Sequence, residues 1–327
     1  MFSKLFTAAV LLFSFSMAFS QNDTGQKINT KLIKVNNKIY MLQGKGGNIG
    51  LSFGNDGIFM IDDQFAEHIE QIQEEIKTVS EKPVQFLVNT HFHADHTGAN
   101  AVLAEAGTVI FSHDNVRVRL QEMIENEKKK IPQEILPMVT FSEDMTFYYN
   151  GEKIYVFHVH NAHTDGDALV YFTKSNVLHT GDVFFNGKYP YIDTANGGSI
   201  MGVINALEKA KLLINEETKI IPGHGEIGSY SDLQKTIDML TNTYKKVTVQ
   251  YINKKTEEEV SQMKDITQLY DNEGYGNGFI TTEAYLKMLY NEVAKERSYI
   301  EDNDEKNRKA LEKIEQMKRE RSEKQKN

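Results

Sequence analysis

Four side chains able to hold a divalent metal stand within six consecutive positions, His91-Phe92-His93-Ala94-Asp95-His96. They follow directly on the apolar run Gln85-Phe86-Leu87-Val88-Asn89, which reads as a strand. In extended chain, residues i and i+2 point to the same side, so His91 and His93 can offer imidazole nitrogens to one ion. Asp95 and His96 fall where the chain turns into a helix and can serve a second ion. Two ions need more ligands, and candidates occur where predicted strands give way to loops. They are His163 in Asn161-Ala162-His163-Thr164-Asp165-Gly166, Asp182 in Leu178-His179-Thr180-Gly181-Asp182, and His224 in Ile220-Ile221-Pro222-Gly223-His224-Gly225. Small or flexible neighbours at each let backbone approach an ion closely. The chain has no cysteine, so every ligand is nitrogen or oxygen, and neither a disulfide framework nor a thiol nucleophile is available. Such a set suits hydrolysis. Two cations about 3.5–4 Å apart bring the pKa of a bridging water towards 7, so that hydroxide can attack a carbonyl that one of them polarises. Asp95 would orient the nucleophile or pass a proton to the leaving group.

The elements that must position these residues are legible from hydrophobic period. Short β-rich runs at Lys31-Val35, Ile39-Leu42, Ile49-Phe53 and Ile58-Ile61 read as an antiparallel meander. Ile69, Ile72, Ile76 and Val79 then recur at helical spacing over Glu67-Val79, and Pro83 starts the strand Val84-Asn89. Strand-helix alternation continues with helices over about His96-Ala106 and Asn115-Lys128 around the strand Thr108-Ser112. Strands follow at Met138-Phe141, Thr146-Tyr149, Ile154-Val159, Ala168-Phe172 and Val177-His179, then a helix at about Val203-Ile214 and the strand Lys219-Ile221 that delivers His224. β-rich segments beside strand-helix alternation in both halves point to an α/β protein with two sheets face to face and helices outside. From about Ser229 the chain is largely helical and more polar, interrupted by the Gly-rich stretch Asn272-Gly278. Beyond about Val293 mixed-sign charge dominates, the pattern of a solvated tail.

The motifs HFHADH, NAHTDGD, LHTGD and IPGHGE, in this order and spacing, resemble those of the metallo-β-lactamase superfamily over roughly Ile33 to Gly228, and Asp62 matches that family's early structural aspartate. The resemblance implies a four-layer αβ/βα sandwich, expected over residues 21–228, and the largely helical, polar stretch beyond it reads as a C-terminal extension over 229–327. The resemblance also implies two zinc ions, one held by His91, His93 and His163, the other by Asp95, His96 and His224, with Asp182 bridging. Asp62 would orient the metal loop rather than catalyse. Because members that destroy β-lactams characteristically lack an aspartate bridge, Asp182 favours ester, thioester or lactone hydrolysis of the glyoxalase II or lactonase type over β-lactam hydrolysis. Similar ligand sets hold a single iron in sulfur dioxygenases, and imidazole-rich sites accept either metal, so an iron oxidoreductase is the competing class. A non-catalytic relative would be expected to have lost ligands, and none is missing.

Three further residues are candidate substrate contacts. His179 lies three positions before Asp182, while Tyr189 and Tyr191 lie in the aromatic run Phe184-Asp193 that follows it. The partner is expected to be a small molecule: a formal net charge of -9 argues against nucleic acid and anionic membrane surfaces. Residues 1–20 read as an export signal, with Lys4, the apolar Leu5-Met17 and the small-x-small site Ala18-Phe19-Ser20. At about 15 residues the apolar stretch is short of the roughly 20 that span a bilayer, so the expectation is a periplasmic or secreted protein without a stable membrane anchor.

Overall fold

The computed structural model describes residues 28–126 and 131–324; the expected export signal lies outside them. Seven strands form one sheet in chain order: β1 (Lys31–Lys34), β2 (Ile39–Gln43), β3 (Ile49–Gly54), β4 (Gly57–Ile61), β5 (Val84–Val88), β6 (Val109–His113) and β7 (Val139–Phe141). Short turns make β1 to β4 antiparallel. From β4 onward the pairs are parallel, because helices now carry each crossover. These are α1 (Ile69–Lys77), the pair α2 (Ala94–Thr97) and α3 (Asn100–Glu105), and α4 (Asp114–Asn126). The second sheet holds β8 (Asp144–Tyr149), β9 (Glu152–His158), β10 (Ala168–Phe172), β11 (Val177–His179) and β12 (Lys219–Ile221), antiparallel except for β11 and β12. Helix α5 (Ile200–Lys211) joins that parallel pair. The C-terminal part contains α6 (Tyr230–Ile252), α7 (Glu257–Ser261), α8 (Gln268–Asp271) and α9 (Thr282–Lys324). No described helix is long and apolar enough to cross a membrane.

Strand alternation sorts side chains into layers. Phe59, Ile61 and Val88 point between the sheets, where they meet Ile154, Val156, Ala168, Val170, Phe172 and Ile221. Their neighbours Ile58, Met60 and Leu87 point outward onto Ile69, Ile72 and Ile76 of α1 and Leu103 of α3. On the far side, Phe157, Leu169, Leu178 and Ile220 pack against α5, α6 and α9. The result is the four-layer sandwich. Its two sheets are also bonded at one end by polar groups: Asn150, in the β8–β9 turn, donates from Nδ2 to Ser52 O and Gly57 O, and its amide donates to Asp56 Oδ2 at 2.7 Å.

The expected elements recur with shifted ends. The helix expected over His96-Ala106 is two pieces, because Gly98 packs against the Gln64–Phe65 backbone and the Ala99 amide turns to donate to Asp63 Oδ1 at 3.0 Å. The helix expected from Val203 begins at Ile200, where the Ser199 side chain accepts from the Gly202 amide and caps it. The C-terminal helices share the core of the second sheet, with Tyr285, Leu286, Leu289 and Val293 of α9 fully buried. Val293 is the last buried residue among those whose burial is described.

Helix α9 also caps α5. Glu292 Oε1 accepts from the Ile200 amide at 2.6 Å, while its buried Oε2 has no partner. Burial outweighs these backbone bonds and pushes the carboxyl up from an ordinary 4.5 to about 7. The fold therefore favours the protonated acid, so this stability is complete below about pH 4.5, declines as pH rises through 7 and stays low above it. Glu292→Gln should raise the melting temperature at pH 8 by roughly 4 °C or more and leave it little changed at pH 4.5. Calorimetry showing equal shifts at both pH values would remove the assignment to ionisation.

Candidate metal centre

Asp62 follows the C-terminal end of β4, the His91–His96 motif follows β5, Asp182 follows β11 and His224 follows β12. The ends of two parallel strand pairs, one in each sheet, thus bring four loops to one edge of the sandwich, and the β9–β10 loop adds His163. Backbone fit is close here. A Cβ on Gly47 would sit 2.1 Å from His96 Cε1, and one on Gly223 would sit 2.0 Å from Asp182 Oδ1.

The second bond of each imidazole decides which nitrogen faces the centre. His163 Nδ1 donates to the Tyr191 carbonyl at 2.8 Å, and His93 Nε2 donates to Asp193 Oδ2 at 3.0 Å. Thr90 gives its hydroxyl proton to Asp62 Oδ2, so its oxygen accepts from His91 Nδ1 at 3.1 Å. The atoms left facing one another are His91 Nε2, His93 Nδ1 and His163 Nε2, with His93 Nδ1 3.1 Å from His91 Nε2 and 2.9 Å from His163 Nε2. Each carries a lone pair, and a cation between them turns their repulsion into ligation. Burial, aided by His96 and His163, pushes His91 well below the ordinary histidine range, and burial likewise holds His163 at about 4. Both are neutral at pH 7, the state that binds metal.

The second group is more acidic. His96 Nδ1 donates to Asp62 Oδ2 at 2.7 Å, which aims Nε2 at Asp182 Oδ1, 3.1 Å away, and Asp95 Oδ2, 3.5 Å away. His224 Nε2 lies 3.3 Å from Asp95 Oδ2 and 3.5 Å from Asp182 Oδ1. Burial opposes charge on both histidines, but Asp182 and Asp95 overcome it, raising His96 well above its usual range and His224 to about 9. Asp182 is buried, yet His224 and His96 hold it well below the ordinary carboxylate range. The group draws positive charge into itself.

Asp182 lies between the two groups. Oδ1 faces His96 and His224, while Oδ2 lies 3.9 Å from His91 Nε2 and 3.7 Å from His163 Nε2. The donors fall into two sets whose ligand atoms lie within 4.8 Å of one another, one of His91, His93, His163 and Asp182 and one of Asp95, His96 and His224. His96 Nε2 and Asp182 Oδ1 are buried without a hydrogen-bond partner despite their proximity. Leaving such groups unpaired costs about 1–3 kcal/mol each, which ligation to a divalent cation removes. The donor set fits such metals.

A family model described as the metallo-beta-lactamase superfamily matches residues 47–224, more than half of the chain and the whole of this cluster. The chain belongs to that superfamily. A probable metallo-hydrolase of Methanocaldococcus jannaschii is 27% identical over 199 residues, 58% of this chain and 87% of the relative. A hydroxyacylglutathione hydrolase of Pelagibacter ubique is 28% identical over 152 residues, 46% of this chain and 56% of that protein. Among solved structures, a metallo-beta-lactamase from Pontibacter korlensis matches with a TM-score of 0.56 at 22% identity, covering 65% of this chain and 100% of that one, a likeness of fold.

Not every expected site residue of this metallo-β-lactamase-superfamily chain faces the cleft. His179 is fully buried; its Nε2 donates to Asn48 O and its Nδ1 accepts from the Gly181 amide, so it supports the Asp182 loop and touches no cleft. Tyr189 is likewise turned away, 1% exposed, stacked on Tyr285 at 4.2 Å and donating to Asp271 Oδ1. Burial drives both inward: each has its polar atoms satisfied inside the protein. Tyr191 does face outward beside His93 and His163. Thr90 and Asp193 serve the ligands without having been expected to. Asp193 stands 100 positions from His93, and no sequence spacing links them.

Asp62 ties the two groups together. Its backbone is left-handed, with φ of 59°, and its carboxylate accepts from the Thr90 amide, the Thr90 hydroxyl and His96 Nδ1. Asn tolerates this backbone and nearly matches Asp in size. Asp62→Asn should nonetheless weaken divalent metal binding by about 10- to 100-fold, as measured by chelator competition. Wild-type affinity in that variant would show that the carboxylate plays no part in holding the ligands.

Proposed function

We propose that this protein is an exported dinuclear zinc hydrolase acting on an ester, thioester, lactone or lactam carbonyl, with the bridged, Asp182-containing site favouring the first three. The observation that carries the reading is Asp182 itself, which turns one oxygen to each donor set. The likeness to a hydroxyacylglutathione hydrolase supports carbonyl hydrolysis as the reaction class, and the leader-like residues 1–20 support export to the periplasm or beyond. His91, His93 and His163 would hold one ion, Asp95, His96 and His224 the other, and a zinc pair would supply Lewis-acid polarisation and water of near-neutral pKa.

The chain's own groups do the rest. Asp95 is the partly exposed carboxylate of the site, its side chain 24% accessible, and Oδ2 is placed to take a proton from water and return it to the leaving atom. Thr90, Asp193 and the Tyr191 carbonyl hold the His91, His93 and His163 rings with their other nitrogens turned to the centre, so those ligands need no reorganisation during turnover. Phe185 stacks on His224 at 5.1 Å and shields one side of that ring from water.

Two zinc ions per chain are expected by elemental analysis of protein from its native cells, with turnover of ester, thioester or lactone substrates. Asp182→Asn should deplete the ion held by Asp95, His96 and His224 most and lower turnover by at least about a hundredfold, since a neutral amide is a poor bridge between cations. His163→Ala should empty the other position instead. One iron with no zinc would favour the dioxygenase class, and an Asp182→Asn variant with both ions and near-normal turnover would sink the bridge.

A further inference from the structure

A continuous aromatic path leads from the metal centre to solvent, and its outer member comes from the C-terminal region. The Tyr191 ring lies 5.9 Å from that of His93 and 5.8 Å from that of His163. Phe279 meets Tyr191 edge-on at 6.4 Å and is 81% exposed. A lone exposed phenylalanine is ordinary on a protein surface, but one that continues an aromatic contact begun at two ligand histidines is not isolated.

Phe279 is also held in place. The loop that carries it starts at Asp271, whose Oδ1 accepts from Tyr189 and Thr282, and Lys188 Nζ reaches Gly274 O at 3.5 Å. Tyr189 and Lys188 belong to the same segment as Asp182 and Tyr191.

We propose that Tyr191 and Phe279 form a substrate subsite for an apolar acyl substituent, so that the preferred substrates are carboxylic acid derivatives with a medium-length hydrocarbon chain. Phe279 lies one ring beyond Tyr191, which lies one ring beyond His93. The two ring steps, 5.9 and 6.4 Å between centroids, mean that a carbonyl at the His/Asp cluster needs roughly eight to nine carbons, at about 1.3 Å of reach each, to pass Tyr191 and reach the Phe279 ring. Covering part of the exposed ring is worth about tenfold in affinity. The subsite rests on the hydrolase reading, and its test is a binding measurement that needs no turnover.

The chain contains no tryptophan, so Phe279→Trp places a single indole reporter at the subsite. In the zinc-loaded protein, octanoate should shift its emission to the blue with saturation, and acetate should not. By calorimetry, Phe279→Ala should weaken octanoate binding about tenfold and acetate binding much less, with zinc content unchanged. Octanoate and acetate binding alike, with no indole response and no effect of Phe279→Ala, would overturn the subsite. Selective octanoate binding by a protein that hydrolyses no ester would support the subsite and overturn the hydrolase reading. Hydrolysis indifferent to chain length, with no octanoate preference, would do the reverse.

Discussion

A buried imidazole offers one nitrogen to a metal only if something else occupies the other, and most of the working edge of this protein is arranged to meet that constraint. Asp62 is the hub. Through Thr90 it sets His91, and directly it sets His96, so one carboxylate orients a donor in each group. Asp193 and a backbone carbonyl do the same for His93 and His163. Two of the residues that orient the donors, Asp62 and Thr90, are fully buried and lie just past strand ends whose positions the inter-sheet packing dictates.

That dependence explains why the fold places parallel strands where it does. A hairpin returns the chain to the end it left, whereas a parallel pair delivers two loops to the same edge. β4 with β5 and β11 with β12 bring Asp62, the histidine motif, Asp182 and His224 together in this way. Period-two alternation along those strands keeps Phe59, Ile61, Val88 and Ile221 between the sheets. The loops leave from a packed base, and the donors converge without long, mobile connections.

Much of this was legible in the sequence because periodicity and residue type act locally. The strands, the outward helices and the seven candidate donors follow from hydrophobic period and from motifs a few residues long, while the grouping of those donors comes from the resemblance the motifs carry. What escaped the sequence depends on contacts between distant segments. Asp193 looks like any acid ending an aromatic loop until His93, on another loop, turns its ring towards it. Tyr189 and Tyr191 are two positions apart and chemically alike, yet the chain between them is irregular rather than a strand, and contacts with distant segments put Tyr189 against Tyr285 and Asp271 while Tyr191 faces outward beside His93 and His163. His179 has the same history: its alternation in β11 buries it behind Asp182. The break at Gly98 is likewise set by a neighbour, the Gln64–Phe65 backbone, rather than by helix propensity.

The sandwich is joined at both ends, but by different chemistry. At the end carrying the β8–β9 turn, Asn150 and Asp56 bond the sheets through groups already satisfied by protein partners. At the other end Asn48 donates to the Pro222 and Gly225 carbonyls, and beside these bonds the donors from both sheets converge around Asp182. A divalent ion held by these donors would tie the two layers further, and its energy of binding would also be energy of closure. Part of the stiffness of that end would then be borrowed from the solution around it, whereas the Asn150 end draws on the chain alone.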